Sequence, residues 1–288
     1  MSEYDLTRWR LLHTNPTDGP MNMAIDESIL LGVAEGTSPP TLRFFAWTPP
    51  CLSLGYAQPL ADVDHERLVA RGYDLVRRPT GGKAILHTDE LTYSVITPQT
   101  DPRVAGGIVE SYRRLSAGLV RGLELMDLIA RNDAVYSTTE TTESTEKNSV
   151  DSVLSVVKKV ENPVCFETPS NYEITIIGKK LIGSAQARKQ GVVLQHGTLP
   201  LTGDITRICD ALAFANEAER ERAKERVRAR AITLELALGV VVSWEQAANA
   251  MKHGFREALK LEFESGMLSA GEMERARELR ERKYRGVQ

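Results

Sequence analysis

Two clusters of side chains in this chain have types and spacings that chemistry can use. The first is the stretch 73–94, YDLVRRPTGGKAILHTDELTYS, in which Arg77, Arg78 and Lys83 flank the pair Gly81-Gly82 and His87 follows. Adjacent glycines let a backbone turn sharply and approach a ligand closely. Basic side chains around such a turn, with a histidine on the returning strand, make a rim suited to an anionic or carbonyl-bearing group. The same residues also fit an ordinary glycine hairpin with a solvated basic edge. A phosphate-binding P-loop does not fit, because GxxxxGK followed by Ser or Thr needs a glycine where Arg77 stands and a hydroxyl where Ala84 stands.

The second cluster spans 161–199, ENPVCFETPSNYEITIIGKKLIGSAQARKQGVVLQHGTL. Cys165 lies between Pro163 and Pro169 rather than in an apolar run, which predicts a partly exposed loop position. Lys180 opens the strand that carries Gly183-Ser184-Ala185. Three small residues inside a strand lower its β-propensity, and they mark either a ligand packed close to the backbone or a bulge in a crowded sheet. Strand alternation sends Lys180, Ile182 and Ser184 to one face, and Lys179, Leu181 and Gly183 to the other. An ammonium beside a thiol stabilises the thiolate and so makes it nucleophilic at neutral pH. A lone loop cysteine is otherwise inert, and the residues alone leave Cys165 open between the two. Cys51, in an apolar strand, reads as a small buried hydrophobe.

The elements that must position these groups follow from periodicity and punctuation. Strands are expected at 8–13, 41–47, 51–55, 74–78, 84–87, 91–94, 172–177, 179–186 and 192–199. Helices are expected at 20–32, with Met21, Ile25, Ile29 and Val33 on one face, at 63–71, and at 107–126, with Ile108, Tyr112, Leu115 and Leu119 on one face. The segment 137–145, STTETTEST, has seven hydroxyl residues in nine and nothing apolar to anchor it, so a mobile surface loop is expected there. One further piece is expected at 150–160. The interleaved charges of 217–230 read as a solvated helix. Ser243 with Gln246 and Ser269 with Glu272 each make a capping box. The first opens a helix with Trp244, Ala247, Met251, Phe255 and Leu259 on one face.

Composition bounds the function. With 288 residues and 42% hydrophobic content the chain can bury a real core, and a net charge of −3 supplies no basic field for nucleic acid. Three cysteines, Cys51, Cys165 and Cys209, are too few and too dispersed for a disulfide framework or a zinc site. No signal-length or membrane-length apolar run is present, so a cytoplasmic protein that engages no membrane is expected.

The motif RRxTGG with a histidine shortly after resembles the signature loop of the biotin/lipoate protein ligase superfamily. Lys180 in KxxGSA matches the lysine shared by lipoate ligases and octanoyltransferases. PVCFETPSxYE before it and GVVLQHGTL after it are similar to the octanoyltransferase subfamily LipM. The ATP-dependent ligases favour a third glycine where Lys83 stands and a different turn where Thr88-Asp89-Glu90 stand, and they generally lack the cysteine. The resemblance implies that Cys165 carries an acyl group and that Lys180 is catalytic with it. It places Arg78, Thr80, Gly81, Gly82 and His87 at the substrate. It does the same for Gly183, Ser184, Ala185, His196 and Gly197.

The implied fold is α/β in the α+β sense: one catalytic domain over 1–288, a largely antiparallel curved sheet flanked by helices. A flexible insert falls at 133–160 and a helical part at 239–288. The implied reaction moves octanoyl from octanoyl-acyl carrier protein to a lysine of a lipoyl domain, GcvH or an E2 subunit, with no cofactor and no metal. Three other readings stay open: an ATP-dependent lipoate–protein ligase, an octanoyl amidotransferase between lipoyl domains, and a non-catalytic binder of an acylated partner.

Overall fold

The computed structural model describes residues 4–127, 131–132 and 174–286. The polar segment 137–145, the piece at 150–160 and Cys165 lie outside the described residues, as does the rest of 133–173. Strand β1 (Thr7–His13) leads into helix α1 (Gly19–Glu35), then β2 (Thr41–Phe45), β3 (Cys51–Leu54), α2 (His65–Ala70) and β4 (Asp74–Arg77). After the glycine turn come β5 (Ile85–His87), β6 (Glu90–Pro98), α3 (Ile108–Glu124) and β7 (Arg131–Asn132). The chain continues through β8 (Ile174–Ile176), β9 (Lys179–Lys189), β10 (Val192–Pro200), α4 (Glu217–Arg230), α5 (Leu234–Leu238), α6 (Trp244–Leu259), β11 (Leu261–Ser265) and α7 (Ala270–Leu279).

Eight strands form the main sheet in the order β11-β1-β2-β6-β10-β9-β8-β7, antiparallel except where β1 pairs with β11 and β2. Both faces are covered, and alternation shows how. Leu11, Phe44, Val95 and Val193 join one apolar cluster with Leu115, Leu119, Met251 and Phe255 of α3 and α6. Their chain neighbours Leu12, Phe45, Ile96 and Leu194 join another with Ile25 and Ile29 of α1. Helix α1 is buried nearly all round because α7 lies over it. Both capping boxes form as the spacing predicts.

The region before and after the glycine turn is not a hairpin. Strands β4 and β5 do not pair; β3 lies between them, parallel to β4 and antiparallel to β5, in a separate three-stranded sheet. The connection therefore crosses over a strand, and the turn becomes a free loop facing the main sheet. Strand β11 was also hidden in a stretch that reads as helical, although LEFES alternates and Leu261 is buried. Helices α3 and α6 approach backbone to backbone: a Cβ on Gly254 would meet Gly118 O and Gly122 N at 2.3 Å.

One ion pair ties helix to sheet. Asp26 of α1 and Arg43 of β2 are fully buried with 2.6 Å between Oδ1 and Nη1. Asp26 Oδ2 accepts from Ser94 Oγ of β6 at 2.6 Å, and Arg43 gives Nη2 to Asn22 Oδ1 and Nε to Thr14 Oγ1. Burial, the largest single influence, raises a carboxyl, but Arg43, His196 and Ser94 together outweigh it and hold Asp26 below its usual range. Removing one partner leaves an uncompensated buried charge, so we expect Arg43→Met to lower the unfolding free energy by about 3–5 kcal/mol. Asp26→Asn added to Arg43→Met should recover part of that loss. Urea unfolding of the wild type, the two single variants and the double variant checks this, and additive losses would remove the pairing argument.

Candidate active site

A cavity of about 370 Å³ opens between the three-stranded sheet and the main sheet, within the size range of small-molecule sites. Its walls combine the loop Gly81-Gly82-Lys83, Ile85 and His87 with Met23 and Trp47. Lys180, Gly183, Ser184 and Ala185 of β9 and His196, Gly197 and Thr198 of β10 close the other side. Ile108 and Tyr112 contribute from the start of α3.

The loop is built by its neighbours. Arg78 is 3% exposed, and its guanidinium gives Nη1 to Ser53 O and Nη2 to the carbonyls of Gly81 and Lys83 at 2.8–2.9 Å. Arg77 Nη1 donates to the carbonyls of Gly55 and Gln58. Both arginines thus help fold the loop, since buried carbonyls demand donors, and Arg78 and Lys83 also line the cavity. Gly55 is required because a Cβ there would lie 1.8 Å from Gly82 O. Thr80 stands behind the cavity wall and is joined to His196 Nε2 by a 2.6 Å hydrogen bond from or to its hydroxyl.

His87 is fixed on every side. Its ring stacks on Trp47 with centroids 4.0 Å apart, its Nδ1 pairs with Glu90 Oε1 at 2.6 Å, and its Nε2 meets Ser53 Oγ at 2.8 Å. The carboxylate selects the tautomer with hydrogen on Nδ1, so Nε2 accepts from Ser53. Trp47 Nε1 donates to Thr92 Oγ1, and Thr92 in turn donates to Glu90. Ser53, His87 and Glu90 have the connectivity of a hydrolase relay. Ser53 is 0% exposed, however, and its oxygen already accepts from Arg78 Nη1 at 3.2 Å. The relay therefore holds the ring in place instead of arming a nucleophile.

Lys180 departs from simple alternation. Thr175 pairs with Lys180 but Ile174 pairs with Ile182, a register shift that reverses the faces beyond it. The Lys180 side chain, 4% exposed, accordingly lies over Gly183, where a Cβ would stand 2.8 Å from its Cε. Ser184 lines the same cavity, and its hydroxyl bonds to Tyr93 OH at 2.7 Å beside Gly197. The bulge falls at Leu181, just before the small-residue run, whose residues pair regularly with β10, and what packs against Gly183 is Lys180. Ile108, expected in the core, is half exposed at the mouth.

Cys51 and Cys209 are buried, and burial pushes the Cys51 thiol well up, with Asp74 adding to it, so it stays protonated at neutral pH. Sequence reasoning overlooked Asp26, Arg43, Trp47, Ser53 and Met23. A signal existed for the first two, since Asn22 and Asp26 interrupt an apolar helix at i, i+4 and Arg43 interrupts the apolar strand TLRFF.

His196 stands 3.7 Å from Asp26 Oδ2, and burial, with Arg78 and His87 nearby, lowers its pKa against the pull of Asp26. The unfolded imidazole takes up a proton near 6.5, whereas the folded one resists. The contribution is therefore present above that value and lost as pH falls through the window beneath it. We expect stability to drop from pH 7 to pH 5, and His196→Gln to flatten that slope by up to about 1.4 kcal/mol per pH unit. Urea titrations at several pH values check it; an unchanged slope would mean His196 is not held neutral.

The comparisons with known proteins agree with this geometry. A family profile described as "Lipoyl protein ligase A/B catalytic domain" matches residues 18–256. The octanoyltransferase LipM of Kyrpidia tusciae is 41% identical over 272 residues, covering 94% of each chain, and that of Moorella thermoacetica is 41% identical over 273 residues with the same coverage. Among solved structures, a bipartite lipoate protein ligase from Thermoplasma acidophilum, described with its E2 lipoyl domain, superposes with a TM-score of 0.76 at 25% identity, covering 96% of this chain and 93% of that one. A lipoate-protein ligase A bound with ATP gives 0.73 at 26% identity, with 98% and 97% covered. The chain belongs to the lipoyl protein ligase A/B catalytic domain family, grouped there with the octanoyltransferases LipM.

Proposed function

We propose that this protein moves an octanoyl group from acyl carrier protein to a lysine of a lipoyl domain, through an acyl-cysteine on Cys165. The observation that carries the reading is 41% identity to an octanoyltransferase LipM over 94% of each chain, against 26% to the ATP-bound ligase. A largely apolar cavity with a buried lysine in its wall supports it. The Cys165 thiolate adds to the thioester carbonyl, the carrier thiol leaves with its electron pair and takes a proton, and an acyl-cysteine remains. A neutral lysine amine of the acceptor then adds to that carbonyl, Cys165 leaves as thiolate, and the amine loses one proton as the amide forms.

Lys180 acts in both halves. As an ammonium it lowers the thiol below its usual value of about 8.5 and raises the reactive fraction. It gives a proton to the departing carrier thiolate, and the neutral amine so formed orients the incoming lysine and receives the proton that lysine sheds. Backbone N–H groups of the Gly81-Gly82 loop or of β9 stabilise the oxyanion. Because a thioester donor is already activated, no nucleotide is consumed.

Transfer is expected without ATP or magnesium; strict dependence on ATP with free octanoate as donor would overturn the assignment in favour of a ligase. Cys165→Ala should transfer nothing, while Cys51→Ala and Cys209→Ala should remain active. Lys180→Ala should stay folded yet react with a thiol-alkylating reagent at least about tenfold more slowly at neutral pH, recovering as pH rises. Equal alkylation rates in the two proteins would remove Lys180 from thiol activation.

A further inference from the structure

The cavity opens at Gly81 and Gly82, which are exposed, and at Ile108, which is 51% exposed. Lys180 lies on β9, whereas Met23 on α1, Trp47 just after β2, Ser53 on β3 of the other sheet and Thr92 on β6 are almost wholly buried. Strands β6 and β2 lie at least two strands across from β9, and these four residues serve as the cavity floor. Three of the four floor residues are immobilised by hydrogen bonds. Trp47 donates to Thr92, Thr92 to Glu90, and Ser53 is shared between His87 and Arg78. Trp47 is also stacked flat on His87. None of these can move aside without stranding a buried polar group.

Met23 differs. It reaches the floor from α1, is 1% exposed, and its thioether side chain is apolar and unbranched. It belongs to the same cluster as Phe45, Ile96 and Leu194, so any space opened by shortening it is walled by apolar side chains and suited to methylene groups. Asn22 and Asp26, on either side of it in the helix, anchor α1 to Arg43, which fixes where the Met23 Cα stands.

We propose that Met23 ends the acyl channel and sets the length of straight saturated acyl chain that the enzyme accepts. The inference rests on the acyl-transfer reading above: with the thioester carbonyl near Lys180, the far end of the chain points away from the mouth and meets the Met23 side chain. A chain too short leaves the floor unfilled, and each methylene left out of apolar contact forfeits about a fourfold preference. A chain too long must displace Met23 against a packed core.

The test is transfer to a lipoyl domain from acyl carrier protein charged with six-, eight-, ten- or twelve-carbon chains, read as kcat/KM for each. The wild type should prefer eight carbons. Met23→Ala should favour ten or twelve over eight by tenfold or more relative to the wild type, and Met23→Val should move the same ratio in the same direction by less, which keeps the test readable if the alanine variant does not fold. Met23→Phe should move the preference toward six. Ile29→Ala, on the same helix and in the same cluster but away from the cavity, should lower the melting temperature without changing the ranking. Unchanged rankings in the Met23 variants, or an equal shift in Ile29→Ala, would overturn the proposal while leaving the transferase reading intact. A wild type that transfers no chain of any length would instead overturn that reading and this inference with it.

Discussion

The buried carboxylate of Asp26 is the point on which helix, sheet and site all depend. It pairs with Arg43 on β2, accepts from Ser94 on β6 and lies beside His196 on β10, so one side chain of α1 is registered against three consecutive strands of the main sheet. Such a group is costly to bury unless every lone pair is answered. Here it is answered, and the position of α1 becomes correspondingly exact in rotation and height. From His196 the connection continues through the 2.6 Å contact with Thr80 into the glycine loop. The loop is thus referred back to the same carboxylate as the cavity floor.

Close approach is the second constraint. The loop packs on Gly55, Lys180 folds over Gly183, and Tyr93 with Ser184 fills the space that a Cβ on Gly197 would need. At Gly55 and Gly197 backbone atoms leave room for glycine alone, whereas at Gly183 the neighbour is the flexible end of Lys180, so the loop and the β10 wall keep their shape before any ligand arrives. Arg78, binding the carbonyls of Ser53, Gly81 and Lys83, and the ring of Trp47, His87, Glu90 and Thr92 have the same effect. A preformed apolar site spends little binding energy on ordering itself, which leaves more for positioning the acyl group.

Much of this could be read from residues in order. The strands at 8–13 and 192–199, the helix at 107–126 and both capping boxes rest on local periodicity and local hydrogen bonds, and they stand where spacing puts them. The crossing of β3 between β4 and β5 is a long-range pairing that no local pattern encodes. The faces of β9 differ from simple alternation because one inserted residue, Leu181, reverses it, and an apolar residue in a strand carries no local mark of a bulge. The loop-folding role of Arg77 and Arg78 was not legible, because a basic pair beside glycines reads the same whether its donors meet a ligand or the loop's own carbonyls. Asp26 and Arg43 were legible only as isolated polar residues in apolar elements, and their partnership needed the fold.

The central claim is a covalent acyl-enzyme formed from a thioester without nucleotide. Intact-mass spectrometry of the wild-type protein mixed with octanoyl-acyl carrier protein, free of ATP and metal, tests it most directly. A single added octanoyl group is expected, carried on the peptide that contains Cys165 and discharged when a lipoyl domain is added. No mass increase, an adduct on another residue, or an adduct that persists in the presence of the acceptor would contradict it.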